Sequence, residues 1–202
     1  MADTEGIDVV DCTRCPELTE SRSQIVNGTG TPDAAVVFVG EAPGGDEDRE
    51  GEPFVGRSGG VLDEKLAERN LDREGVRITN CVRCRPPENR DPKTEELANC
   101  RDFLDHEIRD IDPALIVTLG KVPSEHLLDR SVAVTNESGD VAETRIDDRS
   151  YRVLICVHPA ATFYDNSQEA TLDSALDTAA ELAGVDPDEG GGGSGQSRLG
   201  EY

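Results

Sequence analysis

The sequence predicts an α/β protein with three layers, α/β/α, around a central, mostly parallel four-stranded sheet. Short apolar segments rich in β-branched residues alternate with longer segments of helical periodicity, which is the pattern of parallel strands covered by helices. The length of 202 residues is enough for one domain with a sizeable core. The predicted strands are 35–39, 76–79, 115–119 and 152–157, and the predicted helices lie near 60–70, 92–109, 121–129 and 168–183.

Local signals place the ends of two of these helices and of the domain. Asp91 can cap the second helix, with Pro92 at its first position. The last helix should end at Gly184. Segment 132–150 is expected to form a short strand, a turn and a charged return. We expect a single domain over 1–185, followed by a flexible, acidic, Gly/Ser-rich tail over 186–202.

The composition is strongly acidic, with a net charge of -23 and 17 arginines against only three lysines. Acidic excess of this kind predicts a protein adapted to a high-salt cytoplasm, and the well-defined apolar runs argue against a disordered chain. The N-terminus "MADTEGIDVV" lacks the apolar core of a signal peptide. No run reaches the roughly 20 apolar residues of a membrane span. We expect a cytoplasmic protein with no membrane partner, and a monomer by default.

The six cysteines are more consistent with a metal centre than with disulfides, because the predicted compartment is reducing. Cys12 and Cys15 are separated by two residues, and Cys84 and Cys100 by 15 residues. Four such thiolates suit either a zinc site or a [4Fe–4S] cluster. Cys156, inside "VLICV", is expected to be a small buried apolar residue.

Three polar residues each follow a predicted strand directly. Glu41 comes after "VVFVG", Asn80 after "VRIT" and His158 after "VLICV". In open α/β sheets the ligand binds beyond the carboxyl ends of the strands. The three side chains should therefore converge on one pocket.

The loop after the first predicted strand, "GEAPGGDEDREGEPFVGRSGG", combines seven glycines with six carboxylates. Glycine-rich loops often hold phosphate, but this many acids would repel an anion.

Together these motifs resemble the family 4 uracil-DNA glycosylases, iron–sulfur enzymes of thermophilic bacteria and archaea. The resemblance covers about residues 10–183 and is carried by "CTRC", the glycine-rich loop with "GRSGGVLDEKL", "ITNCVRCRPPENRDPKTEELANC" and "HPAA". It implies the doubly wound, uracil-DNA glycosylase-like fold and a [4Fe–4S] cofactor. The ligands carried over by position are Cys12, Cys15, Cys84 and Cys100, which leaves Cys81 and Cys156 outside. The acidic composition suggests a halophilic archaeal type.

The implied activity is hydrolysis of the N-glycosidic bond of deoxyuridine in DNA, which releases uracil and leaves an abasic site for base-excision repair. Such an enzyme must first extrude the base from the duplex. Phe54 would stack on the flipped uracil, and the Asn80 amide would pair with its N3–H and O4. His158 would donate to O2 as charge builds on the leaving base. The backbone of Gly40 and Ala42 would complete the pocket beside Glu41.

The catalytic carboxylates implied by the resemblance are Glu41 and Glu47, and the sequence does not decide which of them acts on water. Ala42 stands where the classical glycosylase loop has a water-activating Asp, so another acid or electrostatic stabilisation must compensate. The remaining acids of the loop are expected to be a solvated acidic run; they are Asp46, Asp48, Glu50 and Glu52.

DNA contacts are expected from a local basic rim on the acidic body. Arg57, Arg85 and Arg90 lie beside the motif residues, together with Arg83. After "HPAA" the chain continues "TFYDNSQEA", where the family commonly has an aliphatic and basic segment. Phe163 or Tyr164 would then be the wedge that fills the gap left by the flipped base.

Three alternatives remain open at this point. A broader glycosylase of the same superfamily would also act on hypoxanthine or other deaminated bases. An iron–sulfur redox or electron-transfer protein would explain the cysteines but gives Phe54, Asn80 and His158 no role. A zinc-bearing DNA-binding module would show neither iron nor cleavage.

Overall fold

The computed structural model describes residues 2–184, and the predicted tail over 186–202 lies outside them. No helix in this part of the chain is long and apolar enough to cross a bilayer. The division into one domain over 1–185 stays a prediction.

The central sheet has six strands in the order β3-β5-β4-β6-β8-β7, and its four inner strands are parallel. These four are the predicted ones, within a few residues at each end. The prediction of four strands in total was wrong, because an antiparallel strand is added at each edge. A two-stranded antiparallel hairpin, β1–β2, precedes the sheet. The strand bounds are β1 Ala2–Glu5, β2 Asp8–Cys12, β3 Thr29–Gly30, β4 Val36–Gly40, β5 Arg77–Asn80, β6 Leu115–Leu119, β7 Val141–Ile146 and β8 Arg149–Cys156.

Helices cover both faces of the sheet, as predicted. Their bounds are α1 Pro16–Ser21, α2 Gly45–Glu50, α3 Arg57–Ala67, α4 Thr94–Ile111, α5 Lys121–Leu128, α6 Val134–Glu137 and α7 Ser167–Ala183, with 3₁₀ turns at Pro87–Asn89 and Pro159–Phe163. Helix α7 ends at Gly184, whose φ of 73° gives the left-handed C-terminal cap that the sequence predicts.

Two apolar cores lie on opposite faces of the sheet, because successive residues of a strand point to opposite sides. Val36 and Phe38 pack with α3 and α7, whereas Val37 and Val39 pack with α4 and α5. Cys156 is fully buried in the first core, which confirms its prediction as a small apolar residue.

Three local predictions were wrong. Helix α4 begins at Thr94 rather than at Pro92, because Glu96 accepts a hydrogen bond from the Lys93 backbone N–H (2.7 Å) and so caps the helix in place of Asp91. Residues 134–137 form helix α6 instead of a strand, and the strand of this segment comes later, as β7. The glycine-rich loop contains the short helix α2, where acids in the first turn interact favourably with the helix dipole.

A fully buried carboxylate joins α4 to β5 and to the loop that follows β5. Glu107 on α4 accepts hydrogen bonds from Arg77 Nε (2.8 Å) and from Arg83 Nη2 (2.6 Å). Glu107 and Arg83 are 0% and 1% exposed. Buried charges need such partners, because an unpaired one loses its hydration without compensation.

We predict that Glu107→Gln lowers the free energy of unfolding by about 3 kcal/mol or more, because it leaves two guanidinium groups without their buried counter-charge. Asp147→Asn removes the exposed partner of Arg109 and should cost less than about 1 kcal/mol. Urea unfolding of both variants measures the difference. Equal losses would show that the buried ion pairs contribute no more than a surface pair.

Candidate active site

The carboxyl ends of the parallel strands bring the predicted site residues together. Gly40 at the end of β4 pairs directly with Asn80 at the end of β5. The pairing continues past the strands, since Cys81 N–H donates to the Gly40 carbonyl (2.9 Å). Leu119 pairs with Cys156, so His158 follows at the same edge of the sheet.

Phe54, Asn80 and His158 surround the backbone of Gly40 and its neighbours. The rings of Phe54 and His158 stack with centroids 5.6 Å apart and an interplanar angle of 29°. A Cβ on Gly40 would lie 2.3 Å from Asn80 Oδ1 and 2.5 Å from Phe54 Cε2. A glycine is therefore required here so that the amide and the ring can approach each other.

The Asn80 side chain has an amide donor without a partner among the described residues. The residue is 2% exposed, and its Nδ2 is a buried polar atom with no hydrogen-bond acceptor among the described residues. A buried donor left unpaired costs about 1–3 kcal/mol. An amide held in this state is suited to a ligand that supplies the missing acceptor.

His158 is fixed in one protonation state. Its Nδ1 accepts a hydrogen bond from the Ala160 backbone N–H (3.0 Å), so the proton of the neutral ring is on Nε2. Burial lowers the pKa of His158 to about 4. The side chain is therefore a neutral Nε2–H donor at physiological pH.

Glu47 holds the loop that carries Phe54. One of its carboxylate oxygens accepts from the Gly44 N–H (2.5 Å) and the other accepts from the Phe54 N–H. Phe54 itself adopts a φ of 56°, in the left-handed region that non-glycine residues rarely occupy. Such a conformation persists only where the surroundings fix it.

Glu41 is half-buried at the end of β4, and its pKa is raised to about 7. Burial is the larger cause, and the negative charge of Asp91 is the smaller one. The next side chain, Ala42, packs against an apolar cluster that contains several cysteines. A carboxylate that titrates near neutrality in a pocket is a candidate acid or base.

The other acids of the loop do not form one solvated run. Asp48 is 2% exposed and accepts the Ser23 N–H at 2.8 Å and 2.9 Å with its two oxygens, so its expected exposure was wrong. Asp46 and Glu50 pair with Arg49 at the surface, and Glu52 is exposed.

Four cysteines meet in a third apolar cluster between the N-terminal segment, the loop after β5 and α4. They are Cys12, Cys15, Cys84 and Cys100. Arg22 Nη1 lies 2.8 Å from Cys84 Sγ, and Asn99 Nδ2 lies 3.4 Å from Cys15 Sγ. Within residues 2–184 no group of three or more His, Cys, Asp or Glu side chains could hold a metal ion as placed.

The predicted basic rim is only partly present. Arg57 is exposed and covers the ring of Phe163 at 3.9 Å, beside a cleft of about 340 Å³ that also includes Tyr164. Arg85 is half-buried, and its Nε donates to Asn89 (2.8 Å).

Two arginines of the predicted rim are held by internal ion pairs. Arg83 is buried against Glu107, so its placement on the rim was wrong. Arg90 lies 2.7 Å from Glu96 and 3.1 Å from Glu17, and its place on the rim stays a prediction.

The chain is similar to one family of known proteins. The family model "Uracil DNA glycosylase superfamily" matches residues 27–180. The type-4 uracil-DNA glycosylase of Archaeoglobus fulgidus is 38% identical over 181 residues, which is 88% of this chain and 90% of the relative. The chain belongs to the type-4 family of this superfamily.

Further relatives support this placement. The type-4 enzyme of Thermotoga maritima is 41% identical over 162 residues, covering 80% of this chain and 82% of the relative. The type-5 uracil-DNA glycosylase of Thermus thermophilus is 30% identical over 148 residues, covering 58% of this chain and 67% of the relative. These two type-4 relatives are thus more similar to this chain than the Thermus thermophilus type-5 enzyme, and the similarity covers more of the chain.

Sequence patterns missed one residue next to the site. Arg73 donates to the backbone carbonyls of Pro53 and Phe54, and it lies in the turn before β5. No local motif marks it, because its partners are 19 and 20 residues away in the chain.

We predict that Gly40→Ala lowers kcat/KM by at least about 100-fold, because a Cβ there displaces Asn80 or Phe54 and a small misplacement of a reacting group can cost this much. Gly60→Ala is the matched control. Its Cβ would meet nothing within 4 Å, and alanine is the better helix former in α3. Single-turnover assays on the two variants measure the effect, and similar activities would contradict the packing around Gly40.

Proposed function

We propose that this protein is a monofunctional uracil-DNA glycosylase, a hydrolase that removes uracil from DNA and leaves an abasic site for base-excision repair. The observation that carries the proposal is the buried, unpartnered Asn80 amide beside Phe54 and His158. Membership of the type-4 family supports the same chemistry.

Base recognition is assigned to Asn80 and Phe54. The Asn80 Nδ2 donates to uracil O4, while Oδ1 accepts from N3–H. Cytosine lacks the N3 proton and carries an amine at position 4, so it would leave both groups unpaired. Phe54 supplies a face for the flipped base, and its place near Asn80 is fixed by the contact at Gly40.

His158 and Glu41 are assigned to bond cleavage. As the glycosidic bond breaks, negative charge develops on uracil O2, and a preorganised Nε2–H donor there is worth about 10²–10³ in rate. Glu41, as a carboxylate, orients the attacking water and stabilises the cationic sugar. Glu47 acts with it by holding Phe54 and Gly44, since both its oxygens accept backbone N–H groups.

Incubation with a duplex oligonucleotide that contains one uracil, followed by alkali, tests the proposal. We expect strand breaks at the uracil only, and none in the matched uracil-free duplex. Asn80→Ala should remove the breaks. A hypoxanthine-containing duplex separates the broader glycosylase, and no cleavage of any duplex across a range of salt concentrations would refute the proposal. The salt range matters because we also propose that the acidic surface suits high salt.

We predict that kcat/KM rises with pH through about 7, because Glu41 must lose its proton and its pKa is raised to about 7. Asp91→Asn removes the smaller cause of the raised pKa, so the rise should move to lower pH. Glu41→Gln should abolish it. His158, with a pKa of about 4, stays neutral over this range. A flat profile in the wild type would exclude Glu41 as the active carboxylate.

The cofactor that we propose is a [4Fe–4S] cluster held by Cys12, Cys15, Cys84 and Cys100. The donor set fits it, because four thiols from three segments lie in the same apolar core cluster. Two of the sulfurs already receive N–H groups. Such donors favour the thiolate that iron requires. Bound there, the four cysteines would tie the N-terminal segment to the loop after β5 and to α4, and the cluster would supply structural cross-linking.

We predict that Cys84→Ser lowers the iron content and removes the iron–sulfur absorbance, whereas Cys156→Ala keeps both. Cys156 is the control because it lies in the sheet core, away from the four thiols. Iron and zinc analysis of the purified proteins measures the result. Zinc in place of iron in the wild type would overturn the cofactor assignment.

DNA contacts are assigned to Arg57 and Arg85, with Tyr164 as the wedge. Arg57 and Tyr164 are exposed beside the same cleft, and the Tyr164 residue is 90% exposed. Phe163 instead packs under the Arg57 guanidinium. The Arg90 guanidinium pairs with the Glu96 carboxylate, so we propose no phosphate contact for it.

We predict that Arg85→Ala weakens duplex binding and reduces its dependence on salt, because a phosphate contact is lost. Arg149→Ala changes the net charge by the same amount, but Arg149 pairs with Asp112 at the start of β8, away from the carboxyl ends of the strands. This variant should bind DNA normally. Tyr164→Ala should lower excision from duplex more than from single strands. Fluorescence anisotropy and excision assays measure these effects. Equal binding by the two arginine variants would argue against a local footprint.

A further inference from the structure

The backbone N–H and the backbone carbonyl of Phe54 are both hydrogen-bonded to side chains. Its N–H is bound by Glu47, and its carbonyl oxygen is bound by Arg73. We infer that Arg73 is a positioning residue that sets the stacking surface for the flipped base. This inference rests on the proposed function, in which Phe54 stacks on uracil.

Arg73 reaches the loop from the turn that precedes β5. Its Nη1 donates to the Pro53 carbonyl (3.0 Å), and its Nη2 donates to the neighbouring Phe54 carbonyl. Its Nε donates to Asp63 Oδ1 on α3 (2.9 Å), and 24% of the side chain is exposed. One guanidinium therefore joins two successive carbonyls of the loop to α3.

Phe54 needs such a restraint because its φ of 56° is unfavourable for a residue with a side chain. Gly59 allows the close packing on the carbonyl side, since a Cβ there would lie 1.6 Å from the Phe54 oxygen. With the N–H and the carbonyl both bound, the backbone from which the ring extends is held in place, and the ring lies against Gly40 and stacks on His158.

The geometry favours arginine over lysine at position 73. A guanidinium carries several N–H donors in a rigid planar fork, so it can bind two carbonyls and a carboxylate together. An ammonium group is a compact charge on a flexible stem. Arg73→Lys should therefore retain more of the wild-type activity than Arg73→Gln.

Arg73 does not touch the base, so its effect must pass through Phe54. Stacking of a base on an aromatic ring contributes about 1–3 kcal/mol, which corresponds to a factor of roughly 5–150 in affinity. We expect Arg73→Gln to lower kcat/KM by a factor in this range. Inhibition by free uracil should weaken by a similar factor.

The matched control is Arg152→Gln. Arg152 also donates to two backbone carbonyls, those of Ala114 (3.2 Å) and Leu182 (3.5 Å), and its loss changes the net charge by the same amount. It lies away from the pocket, so the variant should keep the wild-type kcat/KM and uracil inhibition. Equal losses in the two variants would overturn the inference.

A double-mutant cycle separates positioning from a general structural role. If Arg73 acts through Phe54, the Arg73→Gln change should cost little further activity in a Phe54→Ala background. The same factor lost in both backgrounds would overturn the inference, as would an unchanged inhibition by uracil in the single variant. Should Arg73→Gln fail to fold, Arg73→Lys is read in the same cycle. Wild-type protein that excises no uracil would instead refute the proposed function itself.

Discussion

The parallel pairing of β4 with β5 is the constraint on which the site depends. It sets Gly40 opposite Asn80, and the pairing continues into the following loops through Cys81 and Val82. A shift by one residue would turn each side chain to the other face of the sheet. The amide would then point into a helix layer instead of the pocket. The base recognition proposed for Asn80 would thus depend on strand register as much as on the side chain itself.

The residues proposed to bind the base are polar, and neither His158 nor Glu41 is held fully charged near pH 7. His158 is neutral because burial lowers its pKa, and Glu41 is close to half-protonated near pH 7 for the same physical reason. The neighbouring acids are used elsewhere: Asp48 binds backbone N–H groups, and Glu47 orders the loop. Two of the loop's six carboxylates therefore serve the loop's own structure, while Asp46, Glu50 and Glu52 stay at the surface.

The four inner strands and the convergence of Asn80 with His158 could be predicted, because both follow from local periodicity and from the rule that strand ends share one edge. Strand β3 could not, since it has only two residues, whereas a strand was expected within 132–150 and β7 lies there, later in the segment than expected. Arg73 and Glu107 escaped prediction for another reason. The Phe54 carbonyl is 19 residues from Arg73, and Arg77 and Arg83 are 30 and 24 residues from Glu107. A charged residue that becomes buried or half-buried also looks like a surface residue in the sequence.

The burial of Glu107 with Arg77 and Arg83 divides the electrostatics of the molecule into two populations. Mobile ions reach the exposed arginines at the cleft and screen them within about 10 Å at 0.1 M salt. They do not enter the interior, so the Glu107 ion pairs keep their strength. If the exposed arginines contact phosphate as proposed, rising salt would weaken that contact while leaving these buried ion pairs unchanged. Ionic strength would then control how long the protein remains on DNA through its surface charges and not through the Glu107 ion pairs.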